Sequence, residues 1–382
     1  GGHTHTHNVE IGNEHFNVDT GFIVFNHSNY PNFSRLLETL AVESQPTSMS
    51  FSVQCACTGL EYNGTSINTL FAQRRNLFRP GFYRMVRDIL RFNKAAPDLL
   101  AGDDNTTSLA DFVVQKSYSD EFRDHYLIPM CAALWSAPRE LVEQYPIRFL
   151  VRFFHNHGML NINDRPQWRV IKGGSNSYVR ALMTAVNGRV RVASKTAVTE
   201  VRRHSDAVSI HNQSGEHDRY DHVILGCHSD QALKLLASPT TAERDILGAI
   251  TFQDNDTVLH TDAAMLPHCK RAWASWNYHI PASDIPRPTV TYYMNSLQTL
   301  KSDEAICVTL NRTADIAPAK ILRRLQYQHP QFTAVAVAAQ ARHAEISGHD
   351  RVHYCGAYWG FGFHEDGVNS ALRVCKALGS IW

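Results

Sequence analysis

Residues 354–368 hold the densest chemistry in the chain. A short apolar run ends at Tyr354-Cys355. It meets glycines at Gly356, Gly360 and Gly362, then the acidic pair Glu365 and Asp366, then Gly367-Val368. A helical pattern follows from Asn369 to Leu378. Strand, glycine turn, acid and helix start make a cradle for a flat anionic or electron-rich ligand. Glycines let the backbone approach a planar group. A helix start offers unpaired N–H groups and the positive end of its dipole. The opposite end carries a second group of candidates. The chain begins Gly1-Gly2-His3 and reaches Val18-Asp19-Thr20-Gly21. His3, His5 and His7 alternate, so a strand would put them on one face. No carboxylate or cysteine cluster completes a metal site around them, and no metal is expected.

Composition narrows the function classes. The 382 residues are 43% hydrophobic and 19% charged, ordinary for a globular enzyme, and the formal net charge is +1. No global field therefore favours nucleic acid. No apolar run is long enough to span a bilayer. Eight scattered cysteines without CxxC spacing read as buried thiols in a reducing compartment, which points to the cytoplasm. The close pair Cys55 and Cys57 reads as two residues of one strand.

The elements that must position these residues follow from periodicity. Residues 14–25 read as strand entering a core. Pro31 opens a helix to about Val42, with Phe33, Leu36, Leu37 and Leu40 at helical spacing. A strand is expected over Met49 to Val53. Helical patterns then dominate to His157, over 67–75, 81–100, 109–114, 120–134 and 147–157. Further on, strands are expected at 168–171, 190–192, 197–201, 207–210 and 223–225, with a hairpin across Arg203 to Asp206. Helices are expected at 178–186, 230–236 and 242–250. The strands 257–260, 272–278, 289–294 and 305–310 precede a helix over Pro318 to Leu325.

Taken together, these residues resemble the flavin-containing amine oxidase superfamily. The resemblance is closest to bacterial proteins described as NAD/FAD-binding oxidoreductases, a group often found beside cyclopropane fatty acid synthases. It covers essentially the whole chain and rests on Gly1-Gly2-His3, Val18 to Asn26, Asn29-Tyr30-Pro31-Asn32-Phe33, Gly173-Gly174 and the tail. It implies an α/β fold. A Rossmann-like FAD-binding domain of the GR2 type (1–30, 166–230 and 349–382) would interleave with a helical-plus-sheet substrate domain (31–165 and 231–348). His3 stands where the family usually has Arg. No G-x-G-x-x-G occurs anywhere, so the chain reads as lacking the first βαβ segment, and with it the part that grips the ADP half of FAD.

The resemblance carries roles over residue by residue. Gly1, Gly2, His3 and Gly21 would lie along the cofactor, with Gly21 near the flavin ring. Val198 matches the position whose backbone meets adenine. Gly356 would lie near the pyrophosphate or ribityl chain, and Asp366 holds the family's acidic position. Gly367 and Val368 would present N–H groups to the pyrimidine edge of the flavin, stabilising charge that develops on reduction. Amine oxidases tend to place an aromatic two residues before that acid. Here His364 stands there beside Phe363, which argues against a primary amine and makes His364 the one catalytic candidate. Trp276, Tyr278 and Phe363 are the expected pocket walls, with Trp276 and Tyr278 on one strand face and Trp273 opposite; Tyr292 and Tyr293 join the same aromatic set. The implied activity is FAD-dependent hydride transfer from a small apolar, possibly lipid-like, or amine substrate. The alternatives are a redox-neutral flavin isomerase and a non-catalytic flavoprotein fragment.

Overall fold

The computed structural model describes residues 2–161, 165–282, 287–380 and 382. Gly1 therefore lies outside the described residues. The chain forms two compact units. The first comprises Gly1–Asn29, Leu37–Ala181 and Gln253–His329; the second comprises Tyr30–Leu36, Leu182–Phe252 and Pro330–Trp382.

The first unit starts with the antiparallel hairpin Thr6–Ile11 and Glu14–Asp19. Gly12 sits at its tip with φ 63°, the sign that a two-residue hairpin needs at its first turn position. A seven-stranded mixed sheet is the main layer. Its order is Ile321–Pro330, Phe252–His260, Cys307–Leu310, Thr289–Tyr293, Trp276–Ile280, Phe51–Cys55 and Leu60–Asn63. The strand Trp276–Ile280 runs parallel to Phe51–Cys55 and antiparallel to Thr289–Tyr293. The helices of this unit pack through rings. Phe92, in Pro80–Ala95, is fully buried and touches Phe112, Tyr118, Phe122 and Phe154.

The expected helix over 120–134 forms with a π turn at Arg123–Leu127. Pro129 explains it. Proline has no N–H to offer the carbonyl four residues back, and its ring crowds that carbonyl. The carbonyl of His125 instead accepts from the Tyr62 hydroxyl at 2.6 Å.

The second unit holds a three-stranded antiparallel sheet and a parallel pair, Val223–Leu225 with Val352–Tyr354. Helices Ser229–Leu235, Thr241–Ala249, Ala334–Ala341 and His364–Ala377 belong to this unit. Its core includes Ile246, Leu247, Ala336, Val352, Tyr354 and Trp359. The Arg203 to Asp206 hairpin is present between Val198–Arg203 and Val208–Asn212.

Several expected elements are corrected. Residues 190–192 form no strand; Val190 and Val192 are exposed, and a three-residue run without a pairing partner gains nothing from extending. Pro318–Lys320 is a single 3-10 turn, and the residues after it form the edge strand Ile321–Pro330 instead of a helix. Pro330 sits at the end of that edge strand, where its missing N–H is tolerated. Lys270–Ala272 is a 3-10 turn, so Trp273 precedes the strand Trp276–Ile280 instead of alternating within it. The terminal helix begins at His364, five residues earlier than the pattern suggested. Of the eight cysteines only Cys55, Cys131 and Cys307 are buried, and Cys57 lies exposed beyond the strand that ends at Cys55.

Candidate functional site

In the first unit the Gly2–His3 turn meets the segment after Asp19. The Phe22 N–H donates to the His3 carbonyl at 2.7 Å, and the Thr20 N–H donates to the His5 carbonyl at 3.1 Å. A Cβ on Gly21 would overlap the His3 carbonyl oxygen. Gly21 is therefore required by close backbone approach. The two motifs that sequence reading paired, Gly2-His3 and Asp19-Thr20-Gly21, are thus in contact.

Asp19 anchors this region. It is fully buried. Its carboxylate accepts from the Ser175 N–H and hydroxyl at 2.9 and 2.8 Å, from Gln298 Nε2 at 2.9 Å and from the Thr6 hydroxyl. Burial pushes its pKa up to about 6, against the lowering effect of the Thr6 and Ser175 donors. Ser175 immediately precedes the helix Asn176–Ala185, and the Asn176 N–H donates to Thr6 Oγ1 at 2.9 Å. Gly173 and Gly174 adopt φ 79° and 94°, and a Cβ on Gly174 would press on the Thr6 side chain. The role of this glycine pair is to let a helix start close onto a buried carboxylate.

The strand begins at Thr6, so of the three histidines only His7 lies in it, although His5 still packs beside His7. His5 and His7 rings lie 4.1 Å apart, and His5 Nδ1 is 2.9 Å from the Tyr327 hydroxyl, which also bonds the Thr20 hydroxyl at 2.6 Å. The His3 ring lies tilted against Tyr327 and His329, with centroids 5.0 and 5.3 Å away. Burial, helped by His5 and Arg323, lowers the His7 pKa to about 4. Among the described residues no group of three or more His, Cys, Asp or Glu side chains is arranged to hold a metal.

Trp276 and Tyr278 are buried in the sheet of the first unit. The Trp276 ring meets Tyr292 edge-on at 5.0 Å. Trp273 donates its indole N–H to the Pro267 carbonyl at 2.7 Å and packs on Tyr293.

The tail belongs to the second unit. Gly356 has φ 154°, and a Cβ there would enter the Tyr358 ring. Its N–H donates to the Ser370 hydroxyl at 2.8 Å. A Cβ on Gly360 would strike the Asp366 carboxylate. The turn is thus drawn tightly onto the helix that follows. Gln340 clamps it from the side, donating to the carbonyls of Tyr358 and Gly360 at 2.7 and 2.6 Å.

Asp366 does a local job. It accepts from the Phe363 N–H at 2.9 Å, and from the Phe361 N–H. Burial raises its pKa to about 6, opposed by those two amides. The carboxylate closes the turn on itself. The Gly367 N–H donates to the Phe363 carbonyl at 3.1 Å, so it is used inside the helix. This revises the expected role of Gly367 and Val368, which sit in the helix body. The anion-attracting end of this helix is its first turn, His364 to Asp366, ahead of the first intrahelical bond. His364 is the first helical residue, with its ring edge-on to Phe33 at 5.2 Å. Phe363 is the residue just before the helix. Val198 opens a strand, with a register irregularity between it and Glu200.

The sequence gives Glu365 no role of its own within the acidic pair, yet it ties the tail to the Tyr30-Pro31-Asn32-Phe33 motif. Its two oxygens accept from the Asn32 N–H at 3.1 Å and the Phe33 N–H at 2.8 Å. Asn32 Nδ2 bonds Asn369 Oδ1 at 2.8 Å. Tyr30 is fully buried, and burial with the nearby Asp366 and Glu365 charges pushes its hydroxyl pKa far up. The signal available was the acid itself, placed next to Asp366 and within reach of a helix that opens with proline.

A glycine turn held flat against the first turn of a helix, beside a strand end in a mixed α/β fold, suits a flavoprotein. The sequence profile described as flavin containing amine oxidoreductase matches residues 1–253, and the chain belongs to that family. No curated protein matches the sequence. Solved structures share the fold. A putrescine oxidase bound to putrescine is 12% identical, with 99% of this chain and 90% of that one covered and a TM-score of 0.66. Cyclohexylamine oxidase from Brevibacterium oxydans IH-35A is 12% identical over 95% and 88%, with a TM-score of 0.65. A CLA-producing fatty acid isomerase from P. acnes is 11% identical over 97% and 88%, with a TM-score of 0.66.

Proposed function

We propose that this chain is an FAD-dependent oxidoreductase that takes a hydride from a small apolar or amine substrate. The observation that carries the reading is the tail: Gly356 and Gly360 let the turn close tightly on Tyr358 and Asp366, and the helix start that follows presents the positive end of its dipole. A planar anionic group suits that surface better than a side-chain-lined pocket would. FAD, when bound, supplies a two-electron acceptor at flavin N5.

In this reading Gly356 permits close approach of the cofactor chain. Asp366 keeps the turn closed through Phe363 and Phe361. The first helical turn offsets negative charge on the ring. Gly2, His3 and Gly21 contribute from the amino-terminal motif, and Val198 from its strand. Trp276, Tyr278 and Phe363 would exclude water from the substrate. His364 would face the substrate in place of an aromatic residue, which favours a substrate other than a primary amine. The FAD-binding part would comprise 1–30, 166–230 and 349–382, and the substrate part 31–165 and 231–348.

The test is a cofactor spectrum followed by anaerobic mixing. The protein is expected to retain FAD with an absorbance band near that of bound oxidised flavin. Amines and unsaturated acyl chains are then offered without oxygen. Bleaching by substrate supports an oxidase or desaturase. Turnover without bleaching moves the assignment to a redox-neutral isomerase. Failure to take up flavin even with FAD in excess overturns the reading in favour of a non-catalytic flavoprotein fragment.

A further inference from the structure

A basic, apolar surface lies in the first unit, on the segment 67–94. Between Arg74 and Lys94 the chain carries seven cations and one carboxylate, although the whole protein is nearly neutral at +1. The carboxylate, Asp88, is buried and paired with Arg87 and Arg91. Arg84 pairs with Glu121. Arg74, Arg75 and Arg79 instead donate to the backbone carbonyls of Phe71, Gly59 and Thr58, which leaves their charge unneutralised.

Large apolar side chains stand among these cations. Phe78 is 86% exposed and Ile67 79%, and Leu77, Tyr83 and Leu90 are exposed as well. Leu77 and Phe78 end the 3-10 turn Arg74–Phe78, which leads straight into the helix Pro80–Ala95. That helix buries Phe82, Met85 and Phe92 on its inner side. Spacing puts Tyr83, Arg87, Leu90 and Lys94 together on the outer side. The Tyr83 hydroxyl bonds the Leu77 carbonyl at 3.1 Å and joins the helix to the turn.

We propose that this turn and helix face dock on an anionic lipid bilayer, with Leu77 and Phe78 entering the interface and Arg74, Arg75 and Arg79 meeting headgroup phosphates. Charge complementarity selects the occupant. Anionic headgroups attract the arginines, and the acyl boundary below accepts a protruding aromatic and leucine. Exposed apolar side chains on a turn and a helix face, set among unpaired arginines, suit an anionic surface with an apolar layer beneath it. The docking is peripheral, because among the described residues no helix is long and apolar enough to cross a membrane. The proposal does not depend on the flavin reading.

The test uses the full chain and sedimentation with vesicles of phosphatidylcholine, with and without phosphatidylglycerol. Binding is expected only with phosphatidylglycerol and should weaken as salt rises. Leu77→Ser with Phe78→Ser is expected to lower vesicle affinity about tenfold, and Arg74→Gln with Arg75→Gln by about thirtyfold. Thermal midpoints of the Leu77/Phe78 variant should match the parent, since both side chains are exposed; this separates docking from misfolding. Equal binding to pure phosphatidylcholine, no binding to either vesicle, or variants that bind like the parent would overturn the proposal. Capture by heparin or RNA without vesicle binding would reassign the patch to a polyanion and overturn it equally.

Discussion

Glu365→Gln is the sharpest probe of how the tail is built. The helix Pro31–Thr39 opens with proline, so its first donor is absent. Its first intrahelical bond is the Ser34 N–H to the Tyr30 carbonyl at 2.8 Å. The Asn32 and Phe33 amides in between have no acceptor inside the helix. Glu365 supplies one oxygen to each and is itself buried. Glutamine keeps the shape but replaces one oxygen with an NH2 group, which faces an amide that can only donate. One buried donor is then left unmade, at about 1–3 kcal/mol. The charge at the positive end of the helix is also lost, at about 0.3–1 kcal/mol. The expected destabilisation is about 2–3 kcal/mol, read as a shift of the urea midpoint by circular dichroism. Glu365→Ala should cost more, because both amides lose their partner. Hydrogen exchange of a peptide covering 30–36 should accelerate in both variants. A Glu365→Gln midpoint within about 0.5 kcal/mol of the parent, with unchanged exchange over 30–36, would refute this account.

Three further outcomes are expected. Burial raises the Asp366 pKa to about 6. The folded chain therefore holds that proton more tightly than the unfolded chain, and the contribution to stability falls as pH rises from about 4 to about 6, then stays flat. Relative to Asp366→Asn, the parent should lose up to about 3 kcal/mol across that window in pH-dependent melts; parallel curves would contradict it. Gly21→Ala should destabilise by about 1–3 kcal/mol, because its Cβ meets the His3 backbone, whereas Gly64→Ala, with open space around it, should stay within about 0.5 kcal/mol. Matching midpoints for the two would remove the close-approach argument. Tyr62→Phe should cost about 1–3 kcal/mol by leaving the His125 carbonyl without its hydroxyl donor, and Pro129→Ala in the same chain should recover part of it by restoring an N–H; additivity in the double-mutant cycle would refute the link.

The hairpin and helix spacings were legible in the sequence because local periodicity is strong wherever one face is buried. The turn of Arg203 to Asp206 and the helix Ile147–Asn156 needed nothing from elsewhere in the chain. The failures have tertiary causes. The residues after Pro318 have a leucine spacing that suits a helix, but the chain there takes up the open edge of a seven-stranded sheet, and pairing overrides propensity. Val190 to Val192 has strand propensity and no partner, so it stays irregular. In the tail, the sequence does not show which atoms are already engaged within the chain. Asp366 and the Gly367 amide are used in closing their own turn and helix.

That distinction changes what the tail's acids mean. Two adjacent carboxylates, Glu365 and Asp366, read from the sequence as a single acidic pair, yet they serve different ends. Asp366 faces its own turn and holds it closed. Glu365 reaches a helix more than three hundred residues earlier in the chain and caps it. Successive side chains of a helix point about 100° apart around its axis, so two adjacent acids there face different partners. His364, one residue earlier, opens the helix and sets its ring edge-on to Phe33. In the proposed reading, substituting His364 should alter substrate preference and shift the urea midpoint less than Glu365→Ala does, since Glu365 holds two backbone amides of the distant helix. A His364→Phe variant that unfolds as readily as Glu365→Ala would show that the division of labour among these three residues is wrong.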